Sequence, residues 1–110
     1  MDMSVQDDNG VTRIVLVGKL DLKGAEAIDI RFNALAGTRP RVAIDLTDVD
    51  FMASMGVRIL VMSGKVSAQR GNKIVLFGAC EPVAKVITTS GLDQIIPLVE
   101  DWDSACARLG

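Results

Sequence analysis

Phe51-Met52-Ala53-Ser54-Met55-Gly56-Val57 is where a strand hands over to a helix. Upstream, Val42-Ala43-Ile44 reads as a short buried strand ending at Asp45-Leu46, and Thr47-Asp48-Val49-Asp50 as a turn. Downstream the apolar residues change period. From Ser54 to about Arg70, with Gly71-Asn72 closing the segment, a helical projection at about 100° per residue puts Val57, Leu60, Val61, Gly64 and Ala68 on one side, expected to face a sheet. Arg58, Lys65 and Gln69 form a solvated side. Met55, Ile59, Met62 and Val66 make a second apolar stripe roughly opposite the first. A helix on the outside of one sheet needs one such stripe. The second is either packed on neighbouring helices or a partner-binding surface, a role that flexible thioethers suit.

Working outward, the same alternation recurs. Towards the amino terminus, Met3–Gln6 and Val11–Val17 flank the polar turn Asp7-Asp8-Asn9-Gly10, which predicts a hairpin. Gly18-Lys19-Leu20-Asp21 ends its second strand. A helix follows, with Ala25, Ile28, Phe32 and Leu35 on one face, Gly37 just past its end and Pro40 opposing its continuation. Towards the carboxyl terminus, Lys73–Phe77 is an apolar strand without polar alternation, which suits a sheet covered on its faces. Glu81-Pro82 opens a helix carrying Val83, Val86 and Ile87, and Gly91-Leu92 ends it. Ile95-Ile96-Pro97-Leu98 is a short strand, placed near an edge because Pro97 cannot donate to a ladder. Asp101 caps a last helix with Trp102, Ala105, Cys106 and Leu109 on one face.

The order is β-β-α-β-α-β-α-β-α. It predicts an α/β fold: a central, mostly parallel sheet with an antiparallel amino-terminal hairpin and about four helices. With 110 residues, 49% apolar and 24% charged, the chain is expected to form one domain over 1–110.

Absences narrow the function. There is no histidine and no tyrosine, which removes histidine-dependent triads, histidine metal sites and imidazole acid–base chemistry. No Gly-rich phosphate loop occurs, and no nucleophile–base pair can be named, so no enzyme is expected. A net charge of −2 without a basic run gives nucleic-acid binding no support. No apolar run approaches the roughly 20 residues needed to span a bilayer. Met1-Asp2-Met3-Ser4 lacks the regions of a signal peptide, and Cys80 and Cys106 fit neither a disulfide framework nor a zinc site. A cytoplasmic protein without cofactor or metal is expected.

Ser54 has two readings. A serine at a helix start is most often an N-cap, its oxygen accepting a backbone N–H one turn in. The same place also suits a phosphate, because free N–H groups and the positive end of the helix dipole favour an anion. Phosphorylation would add about −1.5 to −2 charges beside the methionine stripe and oppose docking of an apolar or acidic partner.

On these residues the chain resembles the STAS domain of the bacterial anti-sigma-factor antagonists. The resemblance rests on Gly18-Lys19-Leu20-Asp21, on Val42 through Phe51, and above all on Met52-Ala53-Ser54-Met55-Gly56-Val57, and it covers nearly the whole chain. It implies a protein-binding switch in transcription regulation. The antagonist docks on a serine kinase of the histidine-kinase-like ATPase type that is also the anti-sigma factor, and phosphorylation releases it. A serine phosphatase is a further implied partner. Carried across by position, Ser54 is the phosphoacceptor, with Asp21 and Gly56 near it. Partner contacts are expected from Met55, Arg58, Ile59 and Met62. Two positions depart from the family's Asp-Ser-(Ser or Thr)-Gly: Ala53 replaces the aspartate and Met55 the second hydroxyl residue.

Two alternatives follow. One is a constitutive STAS scaffold subunit of a signalling or lipid-transport assembly, with Ser54 a cap or contact; the departures at Ala53 and Met55 favour it. The other is a nucleotide–magnesium site built from Asp21, Asp45, Asp48 and Asp50, against which solvated turn carboxylates are the simpler reading.

Overall fold

The computed structural model describes all residues, Met1–Gly110. Its elements are β1 (Asp2–Asp8), β2 (Val11–Leu20), α1 (Leu22–Thr38), β3 (Arg41–Met52), α2 (Ser54–Gln69), β4 (Lys73–Phe77), α3 (Glu81–Ser90), β5 (Leu98–Val99) and α4 (Trp102–Leu109), with a 3₁₀ turn at Leu92–Gln94. The five strands lie in the order β1-β2-β3-β4-β5. The β1–β2 pair is antiparallel and the other three pairs are parallel, as the alternation of strands and helices predicts. Asn9 and Gly10 both take positive φ, 52° and 82°, the geometry of the tight turn whose twist matches a β1–β2 hairpin.

The strand period distributes side chains to two cores. Ile14, Leu16, Ile44 and Leu76 join Ile28, Phe32, Leu60 and Ile87 of α1, α2 and α3 in the larger cluster. Val11, Ala43, Val75 and Phe77 point the other way, onto Ala105 and Leu109 of α4. Covering on both faces is why β3 and β4 read as nearly continuous apolar runs.

Three local expectations are corrected. The polar stretch Thr47–Asp50 is not a turn but the second half of β3, paired with the end of β2 through Val17↔Asp48, Gly18↔Val49, Lys19↔Phe51 and Leu20↔Met52. The register shifts between Val15 and Val17 and again between Gly18 and Lys19, and each shift inserts an extra residue into β3. Those bulges break the period-two pattern that would have revealed the strand. Gly37 lies inside α1, where a Cβ would stand 3.2 Å from Val66 and its carbonyl accepts Arg70 Nη1 at 3.0 Å. Its missing side chain serves the approach of α2 rather than a helix end. The last strand is Leu98–Val99, not Ile95–Leu98. The 3₁₀ turn carries Ile96 into the core first, and β5 forms the sheet edge opposite β1.

Candidate functional site at the start of the second helix

The bulged ends of β2 and β3 bring two helix starts together. Leu20 pairs with Met52, and the Leu20 carbonyl accepts the amide of Ala53 at 3.0 Å. Asp21 caps α1, its Oδ1 accepting the Gly24 amide at 2.8 Å. Leu22 and Ser54 therefore open α1 and α2 side by side at one end of the sheet. Gly56 is buried against Leu20. Asp21 and Gly56 thus both flank the backbone that enters α2.

Ser54 is not the N-cap expected from its position. Ala53 holds that place in extended conformation, and its methyl group offers no capping bond. Ser54 is the first helical residue; it is exposed, and its hydroxyl makes no hydrogen bond within the protein. The departure at Ala53 thus leaves the first-turn N–H groups unclaimed by any side chain. The helix carries no acidic residue in its first turn to offset its positive end.

Two grooves flank the first turn of α2, and Ser54 lines one of them. Between α2 and α3 lies a space of about 560 Å³, with Ser54 and Val57 on one wall and Pro82, Lys85, Val86 and Thr89 opposite. A smaller one, of about 140 Å³, lies between α1 and α2, where Met55, Arg58 and Met62 face Glu26 and Asp29. Met55 and Met62 are exposed, at 38% and 54%. Ile59 is not part of the exposed stripe: it is 6% exposed and belongs to the core. The buried arc of α2 is Gly56, Ile59, Leu60, Ser63, Gly64 and Ser67, while Val57 and Val61 are half-buried and Ala68 is exposed. Packing against α1 as well as the sheet rotates that arc towards Ile59. Sequence reasoning missed the part of α3 in the site: the apolar period identifies Val86 as core-facing, but nothing local says that Lys85 and Val86 meet Ser54 across a groove.

The four candidate metal carboxylates do not gather, and no group of three acidic, cysteine or histidine residues is arranged to hold a metal ion. Asp21 caps α1, and Asp50 meets Lys19 at the surface at 3.9 Å. Asp45 is buried on the α4 side of the sheet, where Arg13 Nη2 donates to it at 2.7 Å and the Thr47 amide at 3.0 Å. The Arg13 guanidinium also lies over the rings of Trp102 and Phe77, 4.8 and 5.4 Å from their centroids. Burial opposes ionisation of Asp45. The hydrogen bonds from the Thr47 hydroxyl, from Arg13 and from the Thr47 amide, with the Arg13 charge, outweigh it and hold the carboxyl below its usual range.

Comparison with known proteins agrees with the fold. The family model described as Mlab, STAS domain, matches residues 3–100. The anti-sigma F factor antagonist of Paenibacillus polymyxa is 22% identical over 111 residues, spanning 99% of this chain and 95% of that protein. The anti-sigma-B factor antagonist of Listeria monocytogenes is 36% identical over 55 residues, half of this chain and 48% of its own. Among solved structures, an anti-sigma factor antagonist from Mycobacterium paratuberculosis superposes with a TM-score of 0.88 at 27% identity, covering 98% of this chain and 92% of that one. Unphosphorylated SpoIIAA shares the fold, with a TM-score of 0.78 at 17% identity over 96% of this chain and 93% of its own.

Proposed function

The chain belongs to the STAS-domain family, and on that premise we propose that it is an anti-sigma-factor antagonist: a transcription regulator that acts by binding an anti-sigma factor. It works in the cytoplasm as a binding protein rather than an enzyme, as one domain over 1–110. Its partner is a serine kinase of the histidine-kinase-like ATPase type, and phosphate on Ser54 releases the complex until a serine phosphatase removes it. The observation that carries this reading is the Ser54 hydroxyl, exposed and free of hydrogen bonds at the first turn of α2. Asp21 and Gly56 shape the backbone beside it, and Met55, Arg58 and Met62 form the adjacent contact surface, with Ile59 supporting it from beneath. The missing aspartate at Ala53 removes a negative neighbour from the phosphate. The test is incubation with a cognate serine kinase of the histidine-kinase-like ATPase type and ATP, followed by mass spectrometry. Phosphate is expected on Ser54, and Ser54→Asp should weaken the complex. Equal binding of wild type and Ser54→Asp would end the switch.

A second reading is favoured by Ala53 and Met55, which depart from the phosphoacceptor pattern. In it the chain is a constitutive scaffold subunit of a signalling or lipid-transport assembly. Complex formation would then survive Ser54→Ala and Ser54→Asp alike and be abolished by Met62→Glu.

A further inference from the structure

We propose that Lys85 is the counter-charge for a phosphate on Ser54, so that phosphorylation closes the α2–α3 groove with an ion pair inside this protein. This rests on the reading of Ser54 as the modified residue and says how the modification acts.

Ser54 and Lys85 face one another across a single space of about 560 Å³, on different helices. The ion pairs of the protein join Arg13 to Asp45, Lys19 to Asp50 and Arg39 to Asp7, leaving the Lys85 ammonium without a partner. No carboxylate lines the groove. Its walls include Val57, Pro82 and Val86, while Ser54 and Lys85 themselves are exposed, so the pair would form in an open, partly solvated groove. A phosphoserine with second pKa about 6 is largely dianionic at neutral pH and offers three acceptor oxygens. The four-carbon stem of Lys85 can carry its ammonium along the apolar wall to reach them, and the Thr89 hydroxyl lies on the same wall as a further donor. The consequence is steric as well as electrostatic. A phosphate–ammonium pair fills space between Val57 and Val86 and sets a charged group beside the first turn of α2, next to the Met55 surface.

Three other charged groups bear on the same phosphate. Arg58 lies one turn along α2 and lines the α1–α2 groove instead. Glu81 precedes Lys85 by one turn of α3, and Asp21 is held by its capping bond. Arg58 is the competing cation, and the experiment must separate it from Lys85.

Phosphoserine installed at position 54 during translation removes any dependence on a kinase. Its second ionisation is followed by ³¹P NMR in the otherwise wild-type chain, in Lys85→Gln, in Lys85→Arg and in Arg58→Gln. The phosphate should titrate lower in the folded chain than in urea. Lys85→Gln should raise its midpoint by about half a pH unit or more, a partly solvated share of the 1–3 units typical of a close opposite charge. Lys85→Arg should restore the low midpoint, and Arg58→Gln should move it less than Lys85→Gln does. An unchanged midpoint in Lys85→Gln, or a shift carried wholly by Arg58→Gln, overturns the pairing. Failure of the kinase to modify Ser54 would instead count against the phosphoacceptor reading alone.

Discussion

Gly56 lies so close to Leu20 that a Cβ added to it would stand 2.5 Å from the Leu20 carbonyl oxygen. The same oxygen accepts the Ala53 amide at 3.0 Å, so one carbonyl at the end of β2 sets where α2 begins. Through it the starts of α1 and α2 are held in one arrangement, with Ser54 on the exposed side.

Gly56→Ala should therefore destabilise the protein even though alanine is the better helix former. Overpacking of a tight site costs about 1–3 kcal/mol, more than the roughly 1 kcal/mol that helix propensity returns. Urea unfolding gives the magnitude, and amide chemical shifts of Ser54 and Met55 should move with it. A variant as stable as wild type would mean that the Leu20 contact yields freely.

Ser54→Ala should leave stability within about 0.5 kcal/mol of wild type, because the hydroxyl caps nothing. An N-cap serine would lose about 1 kcal/mol on the same change. The same unfolding measurement distinguishes the two.

The methionine surface and the residue beneath it should respond oppositely. Met62→Glu, at an exposed site, is expected to keep stability and weaken the partner complex at least tenfold, about 1.4 kcal/mol. Ile59→Ala is expected to cost about 2–4 kcal/mol of stability, since it empties a buried position. Calorimetric binding and thermal unfolding of both variants check the pair of outcomes.

The Arg13–Asp45 pair ties β2 and β3 to α4 through Trp102. Arg13→Met should cost about 2–3 kcal/mol, less than a fully buried pair would, because Thr47 still donates to the carboxylate. The folded carboxyl titrates below its ordinary 3.8, so its contribution is complete above that value and lost as pH falls through the lower folded one. Acid titration of stability should show wild type losing this contribution below about pH 4, and Asp45→Asn losing less across the same range, because Asp101, also held low in the fold, still titrates.

Ser67 is fully buried, and its hydroxyl finds no hydrogen-bond partner. Replacing it with alanine removes an unsatisfied polar group and favours the helix. Ser67→Ala should raise stability by about 1 kcal/mol, visible as an increased midpoint in urea.

Much of this fold was legible because it depends on local periodicity. The alternation of β-branched runs with helical stripes in Val11–Val17, Val42–Ile44 and Lys73–Phe77 already implies parallel strands with helical crossovers. The polar stretch Asp7-Asp8-Asn9-Gly10 implies the hairpin, and the structure narrows its turn to Asn9-Gly10, with Asp7 and Asp8 paired in β1. Ser54 at the strand-to-helix junction was equally visible, since a hydroxyl beside a helix start needs no long-range information to be noticed.

What the residues alone determined about this protein is thus the order of its elements, its two-faced sheet and the position of one candidate hydroxyl. Tertiary structure decided the rest. Thr47–Asp50 became strand because bulged pairing with Val17–Leu20 satisfied backbone that its polar side chains left unmarked. Ile59 went inward because α1 settled on that side of α2. Ala53 took the cap and left Ser54 free, and Lys85 arrived across the groove from a helix some thirty residues later in the chain. Each depends on contacts between segments distant in sequence, where packing and pairing energies override the local pattern.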